Sequence, residues 1–253
     1  MFTKAIVRIP CQNLQYGLTS SDLGMPHYER AVIQHSFYIQ SLIECGLEVY
    51  VLEADNEYPD SVFVEDVALL TPNCAIITFP GAKERRGEIN IMKDVLGKYY
   101  SDIETIKFPG TVEAGDIMMV GDHYYIGLSE RTNIEGANQM ITFLEKYGMT
   151  GSFVALDHVL HLKTGVSYIE NGNMVVCGEF IHKPEFQQYN LIEVDDDESY
   201  AANCVWINGT VLIPNGFPKI TSAIKDKGYK IIQLEVPEFR KLDGGLSCMS
   251  LRF

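Results

Sequence analysis

The chain has 253 residues, 46% apolar and 21% charged, which is enough to bury a sizeable core, and its formal net charge is −14. That acidity argues against a nucleic-acid or anionic-membrane partner and favours a cationic ligand. No apolar run approaches the length of a membrane span and no signal-peptide core follows Met1-Phe2-Thr3-Lys4, so a soluble, cytoplasmic protein is expected.

Phe2–Pro10 reads as a strand, and Ala31, Tyr38, Leu42 and Cys45 recur at helical spacing before Gly46, a helix C′ residue. Leu47–Leu52 then reads as a buried strand. Apolar runs flank two-residue turns at Pro72-Asn73 (Val62–Leu70 and Ala75–Phe79) and Gly121-Asp122 (Ile117–Val120 and Tyr124–Gly127). Asn171-Gly172 and Asn208-Gly209 are stronger hairpin signals still. The turns recur at intervals of roughly 40–50 residues, the size of a propeller blade.

A helix follows the hairpins. Thr132-Asn133-Ile134-Glu135 reads as a capping box with Thr132 at the N-cap, and Ala137, Met140, Ile141 and Leu144 form one face before Gly148. Pro218 opens another helix, with Ile220, Ala223 and Ile224 inward and Gly228 at its end. Strand-like runs return after the glycines, at Gly151–Leu156 and Lys230–Leu234. The unit is therefore β-β-α-β, and its repetition around a closed ring without a linker predicts a single domain over residues 1–253. Asp195-Asp196-Asp197-Glu198 is expected to be a solvated loop rather than a metal site.

Several polar residues break the apolar pattern. Glu65 and Asp66 stand side by side in a run read as a strand, where neighbours face opposite sides, so at least one acid should point inward; a structural ion pair and a grip on a cation explain it equally well. Val112-Glu113-Ala114-Gly115-Asp116 repeats the anomaly, and His161 sits within Leu160-His161-Leu162-Lys163. The other histidines, His27, His35, His123, His158 and His182, read as surface or packing residues. Six cysteines (11, 45, 74, 177, 204, 248) lack C-x-x-C spacing and fit reduced thiols better than disulfides or zinc. Cys248 differs in its setting, Leu242-Asp243-Gly244-Gly245-Leu246-Ser247-Cys248, because adjacent glycines allow positive φ or close approach. Together Cys248, His161 and Glu113 would supply a thiol nucleophile, a general acid/base and a group to orient it.

Six segments in order carry a resemblance: Val62–Ala68, Phe79–Arg86, Gly110–Asp116, Gly127–Asn133, Leu160–Lys163 and Leu242–Ser250. They resemble the dimethylarginine dimethylaminohydrolase family of the guanidine-modifying superfamily. The resemblance implies an α/β fold, a five-bladed pseudosymmetric α/β propeller of ββαβ modules. It also implies hydrolysis of Nω-methylated arginine to citrulline and methylamine or dimethylamine through a covalent thiouronium on cysteine, with no cofactor and no metal. By position Cys248 would be the nucleophile, His161 the acid/base and Glu113 its partner. Glu65 and Asp66 would hold the guanidinium, Asp60 the α-amino group, and Arg85 and Arg131 the α-carboxylate; Phe63 would pack on the substrate and Leu18 would belong to a lid. Lys163 stands where arginine deiminases carry an aspartate on the guanidinium, and is expected to turn away from the pocket. Arginine deiminase, an amidinotransferase and a non-catalytic arginine-binding protein are the alternatives, and homodimerisation is left open.

Overall fold

Two of the turns read from the sequence are built on positive-φ pairs, Asn171 (55°) with Gly172 (73°) and Asn208 (49°) with Gly209 (91°), the geometry that matches the twist of a two-residue hairpin. In the computed structural model, which describes residues 1–253, such hairpins organise the chain into five three-stranded sheets. β1 (Lys4–Arg8) runs parallel to β2 (Glu48–Leu52), with α1 (Tyr28–Glu44) between them in sequence. The second sheet pairs β3 (Ala68–Leu70) antiparallel with β4 (Ala75–Ile77), and β4 parallel with β5 (Ile103–Thr105) after α2 (Glu88–Leu96). The third repeats this with β6 (Ile117–Val120), β7 (His123–Leu128), α3 (Ile134–Lys146) and β8 (Thr150–Ala155). After the short helix α4 (Leu162–Gly165), the fourth is β9 (Val166–Tyr168), β10 (Asn173–Cys177) and β11 (Asn190–Val194). The fifth is β12 (Val205–Ile207), β13 (Thr210–Pro214), α5 (Pro218–Asp226) and β14 (Lys230–Leu234). Past α6 (Pro237–Arg240), β15 (Leu251–Arg252) lies antiparallel to β1 and completes the first sheet.

The repeat is therefore as expected, with one exception. Between β10 and β11 the chain makes only 3₁₀ turns, Gly178–His182 and Pro184–Phe186, because Gly178 at φ 52° and Pro184 interrupt any longer helix.

Four local expectations are corrected. Val64–Val67 is a 3₁₀ turn, not strand, so Glu65 and Asp66 need not face opposite sides, and both are buried. The N-cap of α3 is Asn133, whose side chain accepts from Gly136 N at 2.8 Å, while Thr132 donates to Asp116 instead. The acidic run is not wholly solvated: Lys219 pairs with Asp195 and Asp197, and buried Glu198 accepts from the N–H groups of Lys219 and Ile220 at the start of α5. Gly244 and Gly245 answer to crowding rather than to positive φ, which falls on Asp243 (56°). A Cβ at Gly244 would come within 2.3 Å of the Phe63 ring, and one at Gly245 within 2.5 Å of Asn203.

The chain forms two compact units, one of residues 1–64 and 165–253 and the other of residues 65–164. The first holds the first, fourth and fifth sheets with two apolar clusters, one around Tyr38, Leu42, Phe239 and Leu246 and one around Val175, Ile213 and Ile220. The second holds the other two sheets, packed on Ile76, Tyr124, Met140 and Leu144.

Candidate active site

In the unit of residues 65–164, a cluster of charged side chains is buried at the starts of the two hairpins. Glu113, on the extended residue before the 3₁₀ turn into β6, accepts from His161 Nε2 at 2.9 Å through Oε2 and from Ala82 N at 2.9 Å through Oε1. Asp66 accepts from Gly115 N at 3.1 Å, and Asp66, Glu113 and His161 present ligand atoms all within 4.8 Å of one another, close enough to hold a cation. Asp116 supports the group from behind, accepting from Leu162 N, Ser129 Oγ and Thr132 Oγ1.

Burial alone would deprive His161 of its proton. The charge of Asp66, the Glu113 hydrogen bond and the charges of Asp116 and Glu113 outweigh it and hold the imidazole well above the usual histidine range. Burial likewise pushes the Glu113 carboxyl up, but His161, Arg85 and the Ala82 N–H overcome this and depress it. A raised histidine stabilises the fold below its ordinary pKa of 6.5 and loses that contribution as pH rises through the folded value. A depressed glutamate contributes above its ordinary 4.5 and loses that as pH falls. The Tm gap between wild type and Glu113→Gln should therefore be widest between those two values and shrink as pH rises. A gap flat across pH in thermal melts would contradict the ion pair.

Arg85 is 5% exposed and makes a bidentate pair with Glu88, Nε to Oε1 and Nη2 to Oε2 both at 2.9 Å, with Nη1 on Asp66. Arg131 is more accessible, its side chain 25% exposed and Nη1 3.8 Å from Glu113. Lys163 does not turn away as expected. Its Nζ lies 2.7 Å from Glu65 Oε1, because a carboxylate buried this deeply is costly without a counter-charge and lysine three positions after Leu160 reaches it from α4.

In the other unit, Cys248 stands on the 3₁₀ turn Ser247–Met249. Cys11, Cys45, Cys74, Cys177 and Cys204 are buried; Cys248 is partly exposed. Burial pushes the Cys177 thiol up to about 11 and the Cys204 thiol up to about 12, leaving both unreactive. Gly245 N–H points at Cys248 Sγ, 3.4 Å away. The turn is held rigidly: Asn203 exchanges hydrogen bonds with Ser247 N and Oγ, Tyr200 OH donates to Gly244 O, and Tyr38 OH donates to Leu246 O. Phe63 is buried with its ring edge-on to Phe239 and against Gly244, so it supports the glycine loop. Leu18 N donates to both Asp60 oxygens at 3.1 Å, and the next residues, Thr19 and Ser20, bond to Asp243.

A family model described as N,N dimethylarginine dimethylhydrolase, eukaryotic, matches residues 24–252. The chain belongs to the dimethylarginine dimethylaminohydrolase family. It is 54% identical, over the whole of both chains, to N(G),N(G)-dimethylarginine dimethylaminohydrolase of Pseudomonas aeruginosa. The protein so named from Streptomyces coelicolor is 30% identical, over 98% of this chain and 96% of its own. A solved cysteine-to-serine variant of the P. aeruginosa dimethylarginine dimethylaminohydrolase, complexed with citrulline, covers both chains completely with TM-score 0.99 and 54% identity. A cyanobacterial arginine dihydrolase domain bound to its substrate has TM-score 0.87 at 18% identity, over 98% of this chain and 97% of its own, and so shares the fold. The five repeated sheets are the α/β-propeller fold of the family, and the protein is a family hydrolase acting on guanidine C–N bonds.

For this dimethylarginine dimethylaminohydrolase family member, sequence reading missed the supports. Glu88, Asn203, Tyr200 and Tyr38 carry no local anomaly, since each is an ordinary residue for its element. Only Arg85 followed three positions later by Glu88 offered a signal, an i,i+3 ion pair at a helix start.

Proposed function

We propose that the protein hydrolyses Nω-methylated arginine to citrulline and methylamine or dimethylamine, as a single catalytic domain spanning residues 1–253 that needs no cofactor. The observation that carries this reading is the 54% identity over the full length of both chains to the P. aeruginosa enzyme. The local chemistry is in keeping with it. A guanidinium carbon is a poor electrophile, so a thiolate is needed; Cys248 is partly exposed with a backbone N–H aimed at its sulfur. Its thiolate adds to the guanidinium carbon. Protonated His161 gives its proton to the departing amine as the C–N bond breaks, and an S-alkylthiouronium remains. Neutral His161 then takes a proton from water, the hydroxide adds to the same carbon, and collapse expels the thiolate while the new hydroxyl gives its proton to solvent, releasing citrulline. Glu113 orients the imidazole and stabilises its protonated form.

In the same proposal Glu65 and Asp66 hold the guanidinium, Asp60 takes the α-amino group, Arg85 and Arg131 the α-carboxylate, Phe63 lines the site and Leu18 closes it. Asp66 already accepts from Arg85 Nη1 through Oδ2 and from Gly115 N through Oδ1, and each oxygen keeps a second lone pair for a guanidinium N–H. Agmatine, which lacks the carboxylate, should be turned over poorly. The reaction is assigned to the cytoplasm, in keeping with six free cysteines and with the lack of any helix long and apolar enough to cross a membrane.

Lys163 bears on specificity from its place on Glu65 rather than by turning away. By pairing with Glu65 Oε1 it leaves that carboxylate one hydrogen-bonding site fewer for the unsubstituted N–H groups of free arginine. An unpaired buried N–H costs about 1–3 kcal/mol, so kcat/KM for mono- and asymmetrically dimethylated arginine should exceed that for arginine by about tenfold or more. Citrulline release from each substrate at matched low concentration tests it. Equal efficiency for free arginine would turn the reading to an arginine deiminase.

A further inference from the structure

Asp116 closes the 3₁₀ turn that leads from Glu113 into β6, and it has no exposed surface. Its Oδ1 accepts from Leu162 N at 3.0 Å, the amide that follows His161 at the start of α4. Its Oδ2 accepts from Ser129 Oγ at 2.7 Å and Thr132 Oγ1 at 2.6 Å, in the loop between β7 and α3. The neighbours fix the direction of these bonds. Ser129 Oγ already accepts from the N–H groups of Arg131 at 3.0 Å and Thr132 at 3.1 Å, so both its lone pairs are used and its proton is left for Asp116. Thr132 Oγ1 accepts from Glu113 N at 3.2 Å while it donates to Asp116. One carboxylate therefore ties together the segments that bear Glu113, Arg131 and His161.

A carboxylate buried this deeply is costly unless a positive charge answers it. Asp66 is paired with Arg85, and Glu113 has both His161 and, at 3.8 Å, Arg131. Burial pushes the Asp116 carboxyl up, and the charge of His161 is the foremost influence against that, ahead of the three hydrogen bonds. The attraction is mutual. Burial works to strip His161 of its proton, and the charges of Asp66, Asp116 and Glu113, with the Glu113 hydrogen bond, push its pKa up to about 9. Gly127 leaves room for the arrangement, since a Cβ there would come within 3.2 Å of Asp116 Oδ1 and 3.0 Å of Leu162 Cβ.

We infer, resting on the acid/base role proposed for His161, that Asp116 is a positioning residue for the hydrolysis: its carboxylate holds His161 and Glu113 in register and sustains the imidazolium that protonates the departing amine. Asparagine cannot take its place. One end of that amide is a donor; turned to Leu162 it opposes N–H to N–H, and turned to Ser129 it meets a hydroxyl proton that has no other acceptor.

The test compares Asp116→Asn with the wild type by citrulline release from asymmetric dimethylarginine and by NMR titration of the ¹⁵N-labelled His161 imidazole. Asp116→Asn should lower kcat by about tenfold or more, the scale of a misplaced catalytic group, and bring the His161 midpoint down by about one pH unit or more. The midpoint reads Asp116 whether or not methylated arginine is the substrate. Thr132→Val removes one anchor and keeps the charge, so kcat should fall with the midpoint nearly unmoved, and Thr132→Ser, which keeps the hydroxyl, should recover the loss. If Asp116→Asn does not fold, the Thr132 pair decides. Wild-type kcat or an unmoved midpoint in Asp116→Asn would overturn the inference, as would a Thr132→Val enzyme as fast as the wild type or a loss that Thr132→Ser fails to recover. His161→Asn separates the two possible failures. If it turns over like the wild type, the acid/base role falls and this inference with it; if it is inactive while Asp116→Asn matches the wild type, this inference falls alone.

Discussion

Cys248→Ser is expected to lower kcat by about four orders of magnitude or more while leaving substrate affinity within a few-fold of wild type. A serine hydroxyl is far harder to ionise than a thiol, and a guanidinium spreads its charge over three nitrogens, so a neutral hydroxyl has little to gain by attacking it. Binding should survive because the charged groups proposed to hold the substrate lie elsewhere, on Glu65, Asp66, Asp60 and Arg131. Two measurements separate chemistry from binding: kcat from citrulline release, and Kd for the same substrate on the inactive variant. Rapid-quench mass spectrometry of the wild type should add a substrate fragment to the peptide carrying Cys248. Adduct on Cys177 or Cys204 would sink the assignment, against the physical expectation that thiols raised to about 11 and about 12 by burial stay protonated.

The second large effect is on stability. Glu88 accepts two hydrogen bonds from a guanidinium only 5% exposed, and Glu88→Ala leaves those donors buried without their carboxylate. Breaking a buried pair from one side costs about 3–5 kcal/mol, and Asp66 still holds Nη1, so a loss near about 3 kcal/mol is expected. For a chain of this size that lowers Tm by about 6–12 °C. Glu88→Gln, which keeps the shape and one acceptor, should fall between the two. If Glu88→Ala melts with the wild type, the bidentate pair is not what holds Arg85 in place.

How much of this was legible from the residues depended on whether the signal was local. Asn171-Gly172 and Asn208-Gly209 fixed two hairpins because positive φ is a property of the turn itself. Gly46, Gly148 and Gly228 ended helices for the same reason. Pairing between distant residues left no such mark. Nothing near Val62–Val67 distinguishes a strand from a 3₁₀ turn; tertiary contacts decide, and with them which way Glu65 and Asp66 face. Thr132 had as good a claim to cap α3 as Asn133 until Asp116, sixteen positions upstream, took its hydroxyl. Lys163 was read by comparison with an aspartate rather than by asking what would neutralise Glu65. Cys248, His161 and Glu113 could be nominated for the proposed chemistry because each is out of place chemically in its own segment.

The early loop and the glycine loop are stitched together by one carboxylate. Asp243 Oδ2 accepts from Ser20 N at 2.6 Å and from Ser20 Oγ at 3.0 Å, while two residues back Leu18 N is spent on Asp60. If Asp60 takes the α-amino group as proposed, the incoming ammonium competes with that amide for the same two oxygens. In the proposed binding mode the segment around Leu18 would then feel the amino end of a ligand directly, and any slackening there would travel two residues to the Ser20–Asp243 anchor. A compound lacking the amino group would leave that amide on Asp60 and the Ser20–Asp243 anchor undisturbed.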